Sequence, residues 1–292
     1  MSLLENKPYM NSKQSVALSS VFASLILTLL KLVVGLITGS IGILSEAAHS
    51  LLDLGAASLT FFAVRISDKE ADDTHHYGHQ KIESVSALIE TGLLFLTSAW
   101  IIYEAVKRLS TGSLEVEATW YAFAVIIFSI IVDFSRSRAL NKVAKVTRSQ
   151  ALEADALHFS SDIFSSFAVL IGLIFVAVGV TRADAIAALA VSLFVIRAGY
   201  TLGKRTIDVL IDTAPFGLTE KIRRITKRVD GVMAVKRIRI RPVGIITFID
   251  ITVMVSSKLS LKEAHTICDE IENKIKTAVP EADITIHSEP DK

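Results

Sequence analysis

Two stretches, His49-Ser50-Leu51-Leu52-Asp53 and His158-Phe159-Ser160-Ser161-Asp162, each set an imidazole and a carboxylate four residues apart. On a helix, positions i and i+4 project from one face, so each stretch aims two metal-ligating groups at a common point. Two such helices side by side supply two nitrogens and two oxygens. That set suits tetrahedral zinc, whose bonds run about 2.0–2.2 Å, better than calcium or magnesium, which prefer six or more oxygens. Ligand type constrains a metal without fixing it, so cobalt, iron(II), cadmium and manganese stay open as alternatives. The plainer reading makes each pair a hydrogen-bonded strut between helices. Against it stands cost: a charged side chain at the centre of a membrane helix is unfavourable by about 2.5–3.5 kcal/mol on insertion scales, and such residues mark ion pathways.

Other residues cluster around this pattern. Glu46 lies one turn before His49 and is a candidate to orient that ligand from outside the coordination sphere. Ser160, Ser161, Ser165 and Ser166 are small residues that suit either a wet surface or close helix packing. Lys31 and Glu90 are further charges in apolar surroundings, and no role follows for them from the sequence. The run Asp72-Asp73-Thr74-His75-His76-Tyr77-Gly78-His79-Gln80-Lys81 brings three histidines into five residues.

These residues need elements to hold them. Mean hydropathy is +0.50, and 51% of the 292 residues are hydrophobic against 21% charged, a balance that points to a membrane protein. Windows of the length that crosses a hydrocarbon core fall at roughly 14–38, 41–66, 82–109, 116–136, 154–179 and 184–207. They predict a six-helix transmembrane domain over 14–209, after a tail over 1–13 that has no signal-peptide pattern. The links at Gly39-Ser40, Ser110 to Glu117 and Thr181 to Asp184 hold few basic residues. On the other side lie Lys7, Lys13, Arg65, Lys69 and Lys81, then Arg136, Arg138, Lys142, Lys145 and Arg148. The positive-inside rule assigns that side, and with it both termini, to the cytosol.

From residue 210 to 292 the periodicity becomes that of a water-soluble domain. Leu218 to Val229 reads as a helix, and Ile238 and Ile240 alternate with Arg237, Arg239 and Arg241 as on a half-buried strand. Pro242-Val243-Gly244 turns the chain into a second strand marked by Ile249, Ile251, Val253 and Val255. Ile267, Ile271 and Ile275 mark a helix face, and Ile284 and Ile286 a third strand. The order predicts a small α+β unit similar to a truncated ferredoxin-like fold, with a core modest enough to gain from pairing with its own copy. The single Cys268 excludes an internal disulfide and a Cys-x-x-Cys site. A net charge of +1, without a basic stripe, gives no sign of a nucleic-acid partner.

With His49-x-x-x-Asp53, His158-x-x-x-Asp162 and the Asp72–Lys81 loop in view, nearly the whole chain resembles the cation diffusion facilitator family. The resemblance implies a homodimeric transporter with a transport metal site on His49, Asp53, His158 and Asp162. Histidine in first place on both helices is the arrangement of mostly zinc-selective members. It further implies a second metal site on Asp72, His75 and His79, with His76 an extra candidate, and an interlock between Lys81 and Asp212 at the dimer centre. In the cytosolic domain it puts His265, His287 and Glu289 on ligand positions. The family's further histidine on the middle strand is here Thr252, with Asp250 nearby, so a reduced site is expected. A solvated loop and a purely dimerising domain are the alternatives for these two regions. The short, basic link between helices four and five resembles that of members in bacterial or archaeal cell membranes.

The expected mechanism is alternating access with protons as counter-ion. Zinc with two carboxylates and two neutral imidazoles sums to zero, as does the empty site with one proton on each imidazole. An intramembrane metalloenzyme is the rival class. No His-Glu-x-x-His helix occurs, and four protein ligands leave zinc no open position for water. A membrane-anchored metal sensor is a third reading, but an anchor has no need of the four intramembrane ligands.

Overall fold

A computed structural model of the chain describes residues 7–38, 41–111, 120–177 and 183–291. Six long helices come first: α1 (Lys7–Thr38), α2 (Ile41–Ser67), α3 (Lys81–Thr111), α4 (Trp120–Thr147), α5 (Gln150–Ala177) and α6 (Ala183–Leu210). Then follow α7 (Leu218–Thr226), β1 (Ala234–Val243), β2 (Ile246–Val255), α8 (Leu261–Ala278) and β3 (Ala282–Pro290). The contacts divide the chain into a helical unit, Met1–Thr206, and a second unit, Ile207–Lys292.

The helical unit is apolar outside and buries polar and charged groups beside its apolar core. Along α1, Phe22, Ile26, Leu29 and Val33 are exposed, whereas Ser20, Ser24, Thr28 and Lys31 are buried. Both stripes follow helical spacing, so one face of α1 is suited to lipid and the other to a polar interior. Among the described residues, Ser12–Ile37, Ala47–Ser67 and Lys81–Lys107 are long and apolar enough to cross a membrane. Within the unit, Thr28 donates to the Ser50 carbonyl at 2.9 Å and Lys31 to the Ser50 hydroxyl at 2.9 Å, tying α1 to α2.

Two expectations change. The helix starts at Lys7, inside the stretch read as a tail, with Pro8 in its first turn, where a missing N–H costs nothing. Lys13 is thereby drawn into the packed end of the unit, 2.5 Å from Asp68 and 2.9 Å from Glu83. Glu83 also accepts from Ser67 at 2.8 Å and from Ser149, so one carboxylate joins α1, α2, α3 and the start of α5. Secondly, α4 runs on to Thr147. Arg136, Arg138, Lys142 and Lys145 are therefore helical, not loop, because Leu140 and Ala144 continue a buried face that packs with Leu152, Ala156 and Phe159 of α5. The expected links at Gly39-Ser40, Ser110 to Glu117 and Thr181 to Asp184 lie wholly or partly outside the described residues.

In the second unit, β1 pairs antiparallel with β2, and β2 pairs parallel with β3. The strand order is β1-β2-β3. Gly244, with φ 58, allows the tight turn between β1 and β2. The parallel pair needs a crossover, which α8 provides. Ser260 caps α8 in a reciprocal arrangement with Glu263, which satisfies donors at the helix start. Ile222, Ile249, Ile251, Val253, Ile271 and Ile275 form a dry core between the helices and one sheet face.

Candidate metal site

On α2, His49 and Asp53 stand one turn apart, and on α5 so do His158 and Asp162. Packing of α2 on α5 brings the two pairs face to face. His158 Nε2 is 3.1 Å from Asp53 Oδ1 and 3.7 Å from Asp162 Oδ2. His49 Nε2 is 3.8 Å from Asp53 Oδ1 and 3.8 Å from Asp162 Oδ1. Ligand atoms of a tetrahedral zinc with bonds of about 2.0–2.2 Å stand roughly 3.3–3.6 Å from one another. The observed separations bracket that range, and His49, Asp53 and Asp162 each offer an atom within 4.8 Å of the others. The site is graded in exposure: the His158 side chain is 7% accessible and the His49 side chain 43%. Asp162 Oδ2 is buried and has no hydrogen-bond partner among the described residues, a polar atom that a cation would satisfy.

Around the four lies a charged network not anticipated from the sequence. Arg136 donates to Ser20 at 2.9 Å and Ser24 at 2.6 Å, lies 3.3 Å from Asp133, and sits 3.6 Å above the Phe159 ring next to His158. Asp155, one turn before His158, accepts from Ser20 at 3.2 Å. Asp133 and Arg136 fall at i and i+3 inside the fourth apolar window, a signal hidden by reading Arg136 as part of a cytosolic link. Ser160 bonds Ser137 at 2.7 Å and the Ala156 carbonyl at 2.8 Å, so it packs α5 on α4. Glu46 stands on α2, and its side chain lies outside the described residues.

The loop after α2 forms a second cluster. Asp72 Oδ1 accepts from Thr74 N–H at 2.9 Å, Thr74 Oγ1 at 2.8 Å and His75 N–H at 2.7 Å. Those bonds, the Thr74 hydroxyl first, hold its carboxyl well below the usual carboxylate range. Asp72 Oδ2 lies 3.3 Å from His79 Nε2, His75 Nδ1 lies 3.2 Å from Asp72 Oδ1, and the two imidazole rings are 4.3 Å apart. The three residues offer ligand atoms within 4.8 Å of one another. His76 bonds the Asp73 carbonyl instead, at 3.0 Å.

The remaining candidates are dispersed. His265 faces Asp269 one turn on at 3.7 Å, and His287 faces Glu289 at 3.8 Å along β3. Glu289 is also engaged by Lys236 at 2.5 Å. Asp250 stands opposite Arg239 across β1 and β2. Among the described residues the four do not form a cluster of three ligands: Asp250, His287 and Glu289 share the sheet face opposite the core but are spread along β2 and β3, and His265 stands on α8. Lys81 opens α3 in the helical unit, and Asp212, with φ 60, follows α6 in the second.

Residues 17–211 match the model for the cation efflux transmembrane domain, and residues 216–291 that for the cytoplasmic domain of cation efflux proteins. Among curated proteins, the cation-efflux pump FieF of Yersinia enterocolitica is 31% identical over 288 residues, covering 97% of this chain and 94% of the relative. FieF of Salmonella typhi is 32% identical over 291 residues, with 98% and 95% covered. FieF of Shewanella oneidensis is 30% identical over 273 residues, with 93% and 92% covered.

Proposed function

This chain belongs to the cation efflux family, a family of membrane transporters, and we propose that it exports zinc in exchange for protons through His49, Asp53, His158 and Asp162. The observation that carries the reading is the convergence of the two pairs: each imidazole nitrogen lies within 3.8 Å of both carboxylates. A dication between them neutralises two buried negative charges, and its departure calls for positive charge in its place. Two protons serve, because imidazoles titrate near pH 6.5 in their ordinary state. One zinc for two protons leaves the charge of the site unchanged, so either loaded form can reorient without carrying added charge through a low dielectric.

The six helices span the bilayer with both termini in the cytosol, a topology supported by the basic residues at the ends of α2, α4 and α6. The second unit, 210–292, pairs two copies of the chain, with Lys81 and Asp212 at the join. Asp72, His75 and His79 hold a further ion at the cytosolic side. The dispersion of Asp250, His265, His287 and Glu289 favours a cytosolic unit that dimerises first and binds metal weakly. Iron(II), manganese, cadmium and cobalt are the competing cargoes.

Reconstituted protein in liposomes tests the reading. Zinc flux should rise with an opposing pH gradient and exceed that of iron(II), manganese and cadmium. Zinc flux indifferent to the gradient ends the exchange scheme, and a faster competing metal ends the zinc assignment. Turnover of a peptide or ester would instead favour a metalloenzyme.

A further inference from the structure

Glu90 lies on α3, in the membrane-length segment Lys81–Lys107, and is 1% exposed. Its Oε1 accepts from Thr60 of α2 and, at 3.4 Å, from Ser86 one turn earlier on α3. Its Oε2 is buried and has no partner among the described residues. Among the described residues no cation is bonded to it. The charged groups of α5 within electrostatic reach of it are the Asp155 carboxylate and the His158 imidazole. Asp155 is itself fully buried, with Oδ1 unpartnered, and it faces Ser20 on α1, Arg136 on α4, and Asp53 and His158 of the metal site. A buried carboxylate with one bare oxygen and another carboxylate beside it is costly when ionised and cheap when protonated. Neither Glu90 nor Asp155 is bonded to any of the four metal-ligand candidates among the described residues.

We propose that Glu90 is a proton-binding site separate from the metal ligands and holds one of the two protons exchanged per metal ion. The inference rests on the zinc–proton exchange proposed above and locates one of its protons. Here Glu90 takes the place of one imidazole as proton carrier: without metal, Glu90 is neutral, one imidazole is protonated and two aspartates are ionised, a sum of −1 over the five groups. When the dication arrives, its field favours ionised Glu90. That proton and the imidazole proton leave, and the sum is again −1. Thr60 on α2, seven residues beyond Asp53, bonds Glu90 directly and so ties the proton site to the helix that carries two of the metal ligands.

Proton release and zinc flux measured together in liposomes test this, comparing wild type with Glu90→Gln. The wild type should release two protons per zinc and be insensitive to membrane potential. Glu90→Gln should bind zinc but release half as many protons per ion, and its flux should become sensitive to membrane potential because each cycle then carries one net charge. Two protons per zinc and no voltage response in Glu90→Gln overturn the proposal while leaving the exchange scheme intact. A wild type indifferent to the pH gradient overturns both. If Glu90→Gln does not fold, the wild type decides: with carboxyl-labelled glutamate, zinc binding should abolish the infrared band of a protonated glutamic acid, and an unchanged band overturns the proposal.

Discussion

Along α1, Ser20, Ser24, Thr28 and Lys31 turn inward and Phe22, Ile26, Leu29 and Val33 turn outward; on β2 and α8 it is Ile249, Ile251, Val253, Ile271 and Ile275 that turn inward. The two units thus bury different chemistries: the helical unit sets polar and charged groups beside an apolar core, and the core of the second unit is apolar. In lipid, apolar side chains gain nothing by hiding from a solvent as apolar as themselves, so interhelical contact rests on packing and polar bonds. In water, burial of apolar surface drives folding. A polar interior is also the one place in a membrane where imidazoles and carboxylates can wait for a cation. The second unit, with its dry core, holds its histidines at the surface.

If the polar interior serves transport and the apolar one serves stability, substitutions should separate along that line. Asp53→Asn or Asp162→Asn should lower metal flux by at least about 100-fold through loss of a ligand, with the thermal midpoint little changed. A folded variant with wild-type flux would break the comparison. Arg136→Gln should act on both properties, because it strips a cation from partly buried Asp133 and leaves the Ser20 and Ser24 bonds unmade. Breaking a buried pair costs about 3–5 kcal/mol, which denaturant melts of the purified protein would register. Ile271→Ala, at a fully buried core position, should destabilise the second unit by about 2–5 kcal/mol and leave metal affinity of the helical unit unchanged.

Smaller effects sharpen the contrast in the loop. Asp72 is ionised wherever the pH exceeds the pKa of its carboxyl, which the Thr74 and His75 donors hold low. Its contribution to loop order is present above the ordinary aspartate range and is lost only as pH falls through that lower value. Loop amide exchange should therefore be unchanged between pH 7 and about pH 5, while metal retention falls over the same range because protons compete with a bound ion for its ligands. Smallest of all, His265→Ala and His287→Ala should change zinc flux by less than about two-fold, since neither belongs to a ligand cluster among the described residues. A ten-fold loss would place a metal function in the second unit.

Much of this molecule is local and readable. The i, i+4 spacing put each histidine and its aspartate on one face, the apolar windows marked the six helices, and alternating isoleucines marked β1 and β2. The helix-strand-strand-helix-strand order followed from the same periods. The loop set Asp72, His75 and His79 was what the family resemblance implied, and a single turn gathers the three.

What the sequence determined alone was which groups share a face, because backbone geometry over one or two turns sets that without reference to any neighbour. Only the tertiary structure decided which faces meet. It placed Asp53 against His158 across 105 residues, drew Arg136 out of an expected loop and onto Phe159, and left Glu90 Oε2 without a partner among the described residues. Each of those contacts depends on how whole helices pack, and packing is set by the sum of many side-chain fits that no single spacing encodes.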